Sequence, residues 1–117
     1  MIKSFRDLLV WQKGINIVTE IYSITRDESF CRDVGLRSQI RRSAVSIPSN
    51  IAEGFERKSK AEFRRFIAIA LGSAAELQTQ IEISQRIGYI SREQLDLLDG
   101  YLNEVAKMLQ SLKQKTI

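Results

Sequence analysis

Apolar residues recur at steps of three and four along four long segments of the chain, which is the spacing of helices that bury one face. The first segment, predicted to be helical over residues 7–24, carries two such stripes side by side. The stripes consist of Leu8, Trp11, Ile15, Val18 and Tyr22, and of Val10, Ile17, Ile21 and Ile24. A face this wide predicts contact with two neighbouring helices. Residues 25–33 are polar and unpatterned and are predicted to form a loop.

The second segment, residues 34–55, contains a proline. Its apolar positions are Leu36, Ile40, Ala44, Ile47, Ile51 and Phe55. A proline inside a helix removes a backbone hydrogen bond and kinks or ends the helix. Because the apolar register continues unchanged past Pro48, we predict one helix kinked at Pro48, with Asn50 and nearby serines satisfying the freed carbonyls. Two short helices broken at residues 46–48 are the alternative.

The third and fourth segments both open with a capping box, Ser59 to Glu62 and Ser91 to Gln94, in which a serine and a longer polar residue satisfy free backbone amides. They predict helices over residues 59–87, stopped by Gly88, and over residues 91–113. Both show heptad spacing. Four such helices joined by short loops predict an all-α, single-domain, up-and-down antiparallel four-helix bundle spanning residues 1–117.

The composition argues against an enzyme. The 117 residues include no histidine, which removes the commonest general base and metal ligand. Four glutamates lie on the second and third helices, but the di-metal bundles pair such glutamates with histidine. The sequence therefore predicts no catalytic residue, cofactor, metal or small-molecule substrate. The four glutamates are Glu53, Glu62, Glu76 and Glu82.

The cellular compartment is predicted from the first residues of the sequence, from its apolar runs and from its cysteine content. The first residues lack the apolar region of a signal peptide. The longest nearly unbroken apolar run, Phe66 to Ala75, is about half the length of a membrane span. Cys31 is the only cysteine, which favours a reducing compartment. We expect a cytoplasmic protein without a membrane partner.

Positive charge is concentrated in the middle of the chain. The net charge is +4, and eight basic residues stand against three acidic ones between Arg37 and Arg65. This excess predicts a surface for phosphate-rich partners. The alternative is a solvated face whose arginines pair with nearby carboxylates. Three phenylalanines in this region, Phe55, Phe63 and Phe66, have core spacing. The basic residues are Arg37, Arg41, Arg42, Arg57, Lys58, Lys60, Arg64 and Arg65.

Two residues of the third helix have distinctive surroundings in the sequence. Glu76 lies among apolar residues, where an unpaired carboxylate is costly. If the second and third helices form an antiparallel hairpin, Arg41 or Arg42 lies opposite Glu76 and is its predicted partner. Gly72 belongs to a stripe of small residues and costs roughly 1 kcal/mol of helix propensity relative to alanine. The stripe indicates either close packing inside the bundle or a subunit interface. Its members are Ala68, Gly72, Ala75 and Thr79.

Several motifs, taken in order, resemble the bacterial four-helix-bundle proteins encoded in 23S rRNA intervening sequences. They are residues 10–13 (VWQK), 35–54 (GLRSQIRRSAVSIPSNIAEG), 70–73 (ALGS), 76–80 (ELQTQ) and 88–90 (GYI). The resemblance implies a four-helix bundle that assembles as a homopentamer and has no catalytic residues. A similar bundle is the accessory protein of diversity-generating retroelements, a basic pentamer that associates with a reverse transcriptase and nucleic acid. Residues 29–32 depart from the aromatic-proline stretch common in the first loop.

The residues and the resemblance together lead to two hypotheses. The first is a non-catalytic oligomeric protein that binds RNA or other nucleic acid through the basic region. The second is a protein–protein assembly scaffold whose charge is incidental. Both include a homo-oligomer, because the first and third helices are apolar over wider arcs than one bundle core needs. On the third helix the additional apolar residues are Phe66, Ile69 and Ile83.

Overall fold

A computed structural model describes residues 1–116, and every residue in regular secondary structure within them is helical. The four long helices predicted from the sequence are present, joined by an additional short one. In chain order the elements are a 3-10 turn at Phe5–Asp7, α1 (Leu9–Ile24), α2 (Glu28–Arg32), α3 (Val34–Glu56), α4 (Lys60–Arg86) and α5 (Arg92–Lys115). Predicted and observed ends differ by one or two residues, as is usual for helix termini.

The long helices form a bundle in which sequence neighbours are spatial neighbours. α3 packs against α1 and α4, and α5 packs against α4 and α1. The 27-residue α4 is about 40 Å long at 1.5 Å per residue, which matches the 42 Å long axis of the molecule. The predicted heptad positions form the core. On α5 these buried residues are Leu95, Leu98, Leu102, Val105 and Leu109.

α3 runs through Pro48 as one helix, so the alternative of two short helices is wrong. Pro48 is buried, and a Cβ placed on Gly14 of α1 would lie 3.4 Å from its side chain. Glycine at position 14 therefore lets α1 approach the proline ring closely. The Asn50 amide donates to the Ser46 carbonyl at 2.8 Å, whereas the carbonyl that loses its donor to Pro48 is that of Ala44, so this bond does not confirm the predicted role of Asn50. A kink at Pro48 stays a prediction.

The prediction of a loop over residues 25–33 is wrong in part, because this segment contains α2. Asp27 caps α2 by accepting a hydrogen bond from the Ser29 amide. Phe30 is buried, and its ring meets the Tyr89 ring edge-on at 5.1 Å between centroids. Because a single buried apolar residue, Phe30, cannot form a periodic pattern, the spacing of apolar residues could not predict α2.

The helix starts confirm the predicted caps to different degrees. Ser91 and Gln94 form the complete capping box at α5. At α4 the Ser59 hydroxyl accepts from the Glu62 amide as predicted, whereas the Glu62 carboxylate binds Arg65. Gly88, with φ of +84°, ends α4 as expected. Between α3 and α4, Lys58 has φ of +58°, a left-handed conformation that a side chain disfavours.

Candidate nucleic-acid interface

The eight basic residues of the predicted surface fall into two clusters, one on α3 and one where α3 connects to α4. The first lines an open groove between α1 and α3, which we call the arginine groove. The second surrounds the connection from α3 to α4, which we call the hairpin cluster. From Arg42 to Arg57 the clusters are about 22 Å apart along α3. The arginine groove is lined by Tyr22, Val34, Arg37, Ser38, Arg41, Arg42, Val45 and Ser46. The hairpin cluster consists of Arg57, Lys58, Lys60, Arg64 and Arg65.

One face of α3 supplies seven of the eight lining residues of the arginine groove. Because their positions advance in steps of one and three, they lie on neighbouring turns on one side of the helix. Tyr22 from α1 completes the lining. The groove encloses about 580 Å³ and opens to solvent. The sequence therefore places three arginines side by side because helical periodicity brings positions 37, 41 and 42 together.

Arg41 is held in a fixed position within the groove. Its Nε donates a 2.9 Å hydrogen bond to the Thr25 hydroxyl. Thr25 is only 1% exposed, and its hydroxyl in turn donates to the Ile21 carbonyl at 2.7 Å. The Arg41 guanidinium also stacks over the Tyr22 ring, 4.3 Å from the ring centroid. Neutral groups thus orient this cation without neutralising it.

The arginines of the arginine groove form no close ion pair in the part of the chain that the structure describes, although Arg42 also lines a neighbouring cleft that contains Glu76. Among the described residues, no carboxylate lines the groove. Within residues 1–116, the ion pairs closer than 4 Å do not include Arg37, Arg41 or Arg42. Arg37 donates instead to the Cys31 sulfur at 3.4 Å. These arginines therefore do not follow the alternative in which basic residues pair with neighbouring carboxylates.

The hairpin cluster is partly neutralised. Arg57 pairs with Glu53 at 3.1 Å, and Arg65 pairs with Glu62 at 2.8 Å. The hydrogen bond from Arg65 lowers the pKa of the Glu62 carboxyl and, reciprocally, raises the pKa of Arg65. Both arginines also lie over the Phe66 ring. Such exposed pairs contribute little to stability.

The remaining cations of the hairpin cluster are exposed. Lys58 lies 5.1 Å from the centroid of the Phe55 ring. Lys60 and Arg64 are in no ion pair within residues 1–116. Phe66 is buried and the half-buried Phe63 packs against the core, in agreement with their predicted place, whereas Phe55 is half-buried outside the core cluster. The structure thus supports the alternative of paired, solvated charges for Arg57 and Arg65 only.

Glu76 belongs to a polar seam between α3 and α4, and the predicted ion pair with Arg41 or Arg42 is wrong. Glu76 accepts a 2.9 Å hydrogen bond from the Ser43 hydroxyl. The register of the two helices differs by two residues from the predicted one, so Ser43 stands where Arg41 was expected. One turn away Ser46 and Ser73 bond at 2.8 Å. Ser43 and Ser46 therefore bond across to α4, and the Ser46 hydroxyl also accepts a 2.8 Å hydrogen bond from the Asn50 amide of its own helix.

The small residues of α4 face outward. Ala68, Gly72, Ala75 and Thr79 are all exposed, and a Cβ placed on Gly72 would meet nothing within 4 Å. Packing of this stripe inside the bundle, one of the two predictions, is therefore wrong. Beside the stripe, Ile69 and Ile83 are 40% and 44% exposed, whereas Phe66 joins the core. Gln80, next to Thr79, is 7% exposed, and its Oε1 lacks a hydrogen-bond partner within residues 1–116.

The four glutamates considered as metal ligands are dispersed. Glu53 pairs with Arg57, the residue that follows α3, while Glu62 and Glu82 pair with arginines of α4, and Glu76 binds Ser43. Residues 1–116 hold no group of three histidine, cysteine, aspartate or glutamate side chains that could bind a metal ion. In the same residues no helix is long and apolar enough to cross a membrane.

Tyr22 and Thr25 were not predicted to belong to the candidate site. Tyr22 was assigned to an apolar stripe of the first helix, and Thr25 to the following loop. Both lie outside the charge-rich region that defined the predicted surface. The signal that could have identified Tyr22 is its hydroxyl, because a tyrosine at the end of an apolar stripe often lies at the edge of the core.

Comparison with known proteins places the chain among bacterial relatives. A family model described as 23S rRNA-intervening sequence protein matches residues 6–111. A solved structure of a protein of unknown function from the S23 ribosomal protein family of Bacteroides thetaiotaomicron VPI-5482 is similar, with a TM-score of 0.83 and 30% identity. The match covers 90% of this chain and 98% of that one. No curated protein matches the sequence.

Proposed function

This chain belongs to the family of 23S rRNA-intervening sequence proteins, and we propose that it is a non-catalytic nucleic-acid-binding protein that uses the arginine groove as its main contact surface. The observation that carries the proposal is the set of three adjacent arginines, Arg37, Arg41 and Arg42, none of which forms an ion pair closer than 4 Å within residues 1–116. Unpaired arginines are suited to phosphate because their planar guanidinium groups form paired hydrogen bonds with its oxygens.

The hairpin cluster extends this surface toward the other end of α3. Lys58, Lys60 and Arg64 supply exposed cations there, while Arg57 and Arg65 are already paired. A strand that followed α3 would meet the arginine groove first and the hairpin cluster about 22 Å further on. We therefore assign the stronger contacts to the groove and weaker, supplementary ones to the hairpin.

Binding of this kind is electrostatic and can be tested by its salt dependence. Anisotropy of a labelled mixed-sequence RNA is measured between about 50 and 200 mM salt. The double variant R37Q/R42Q is expected to weaken binding and to reduce the slope of log affinity against log salt by about 1.4, at roughly 0.7 per lost contact with a single strand. Arg41 stays unchanged because it packs on Tyr22.

The matched control is R86Q/R92Q, which removes the same charge from exposed arginines outside both clusters. Arg86 and Arg92 pair with Glu82 and Asp96, respectively. This variant is expected to keep the slope of the wild type. If the wild type fails to bind RNA even at 50 mM salt, nucleic-acid binding is excluded and the scaffold hypothesis takes its place.

As part of this proposal, the protein acts as a homo-oligomer. The exposed small-residue stripe of α4 and the adjacent Ile69 and Ile83 form a face on which another copy can pack closely. The buried Gln80 Oε1 lies beside this face and lacks a donor within residues 1–116, although buried polar atoms are nearly always paired. A ring of copies would repeat the arginine groove and strengthen weak contacts through avidity. Five copies are what the family resemblance implies.

A further inference from the structure

The arginine groove contains more than the cations that phosphate binding requires. Tyr22 remains 37% exposed at its edge, with the Arg41 guanidinium stacked on its ring at 4.3 Å. Val34 and Val45 are exposed apolar side chains at the same site. A duplex presents mainly phosphates and sugars to a surface of this kind, so the aromatic and apolar groups would gain little from it.

Unpaired bases differ because their faces are apolar and polarisable. Single strands bind proteins through aromatic side chains and arginine planes on which bases stack, beside cations that contact the backbone. The arginine groove has both parts. Tyr22 and Arg41 supply two flat groups already in contact, and Arg37 and Arg42 supply cations on the neighbouring turns of α3.

The stacked pair is preorganised. The Thr25 hydroxyl fixes Arg41 through its Nε, and Thr25 is itself buried and bonded to the Ile21 carbonyl. A fixed guanidinium loses little conformational freedom when a ligand binds, which strengthens the interaction. Since Thr25 is neutral, Arg41 retains its charge for the ligand. An acidic partner for Arg41 would have fixed it equally well but would have repelled phosphate.

We propose that the arginine groove selects single-stranded nucleic acid over duplex, with a base stacked on the Tyr22–Arg41 pair and the flanking phosphates bound by Arg37 and Arg42. This inference rests on the proposed function and specifies its ligand. Selection arises because base pairing in a duplex withdraws the base faces from Tyr22 while leaving the phosphates available.

The experiment compares one mixed-sequence RNA, free of self-complementarity, as a single strand and as a duplex at the same salt concentration. We expect the wild type to bind the single strand at least tenfold more tightly. Y22L should weaken single-strand binding by about 5- to 150-fold, the range for loss of one stacking contact, and should leave duplex affinity unchanged. Y22F keeps the ring and should bind like the wild type.

The matched control is Y101L. Tyr101 is a tyrosine of similar exposure, 40%, beside Glu20 and Glu104 on the side where α1 meets α5. Its loss should not change binding to either RNA. T25V is a second test, because it releases Arg41 while keeping Tyr22, and it should weaken single-strand binding more than duplex binding. Equal melting temperatures establish that the variants are folded.

The outcomes separate this inference from the proposed function. If single strand and duplex bind equally and Y22L changes neither, the selection is wrong although electrostatic binding stands. If polyglutamate competes as well as RNA of equal charge, the groove recognises acidic polymers in general and the selection is again wrong. If no nucleic acid binds at low salt, the proposed function fails as well.

Discussion

Ser43 of α3 donates a 2.9 Å hydrogen bond to the Glu76 carboxylate of α4, so these two residues lie at the same level of the two helices. Ser43 is 4% exposed, so its hydroxyl is out of reach of most water, while Glu76 remains exposed. The exposed Glu76 carboxylate thus provides a hydrogen-bond acceptor for the buried Ser43 hydroxyl. It belongs to the polar seam in which Ser46 and Ser73 form the next contact.

Removal of Glu76 alone is expected to cost more than removal of both members of this pair. E76A leaves the Ser43 hydroxyl without its acceptor and should reduce the free energy of unfolding by about 1–3 kcal/mol. S43A with E76A should recover roughly 1 kcal/mol of that loss, because no buried polar group is then left unpaired. Urea unfolding of the four proteins of this double-mutant cycle measures the coupling. Additive effects would mean that the bond is not formed in solution.

The glycines of the long helices should respond differently to alanine. A Cβ on Gly54 would lie 2.8 Å from the Cβ of Phe66, so α3 and α4 approach closely at this glycine. G54A should therefore destabilise the protein by about 1–3 kcal/mol through overpacking. At Gly100 of α5 a Cβ meets nothing within 4 Å, so G100A should stabilise it by up to about 1 kcal/mol. Thermal unfolding of both variants tests the sign, and a stabilised G54A would contradict the close approach.

Tyr89 should make stability depend on alkaline pH. Its hydroxyl donates to the Asp33 carboxylate at 2.9 Å, and this hydrogen bond, followed by burial, raises the pKa of Tyr89 above its usual value near 10. The unfolded state then loses its proton first as pH rises. The contribution is thus fully present below about pH 10 and is lost as pH passes through the folded-state pKa.

Unfolding by urea at a series of pH values checks this expectation. Y89F should lower stability at neutral pH and reduce the fall in stability above pH 10. Y101F, at an exposed tyrosine, is the control for loss of a phenol hydroxyl and should leave stability at neutral pH unchanged. If Y89F and the wild type lose stability in parallel above pH 10, the bond between Tyr89 and Asp33 does not control this titration.

The fold could be predicted from the sequence because apolar residues recur at helical spacing along each long helix. The apolar positions of the fourth predicted helix, from Leu95 to Leu109, became the buried face of α5. The same register argument carried α3 through Pro48. Phe30 was missed because one buried residue in a five-residue helix has no period. The family resemblance supports the prediction of a four-helix bundle but gives no information on the short helix α2.

The candidate site was harder to predict because it combines elements distant in sequence. Charge density located Arg37, Arg41 and Arg42 but gave no sign that the hairpin cluster would lie separately. Tyr22 enters the arginine groove only through the packing of α1 against α3. Glu76 was given the wrong partner because a shift of two residues in helix register replaces Arg41 with Ser43. Pattern alone does not determine register to that accuracy.

The assembly of the protein can be tested at a second pair of matched glycines. Gly72 on α4 and Gly100 on α5 are both exposed helical positions where a Cβ meets nothing within 4 Å of the single chain. In a monomer, glutamine at either position should increase stability to a similar extent, because it is the better helix former. In an oligomer built on the small-residue stripe, the side chain at position 72 would separate the copies.

We therefore expect G72Q to lower the mass measured by light scattering at micromolar concentration, while G100Q keeps the mass of the wild type. A cyclic assembly buries such a face through one repeated contact and so remains closed. A wild-type mass near the 13.4 kDa of one chain would exclude the oligomer. Equal masses for G72Q and G100Q above that value would place the interface away from α4. A closed ring with a copy number other than five would correct the family-based expectation and leave the role of the stripe intact.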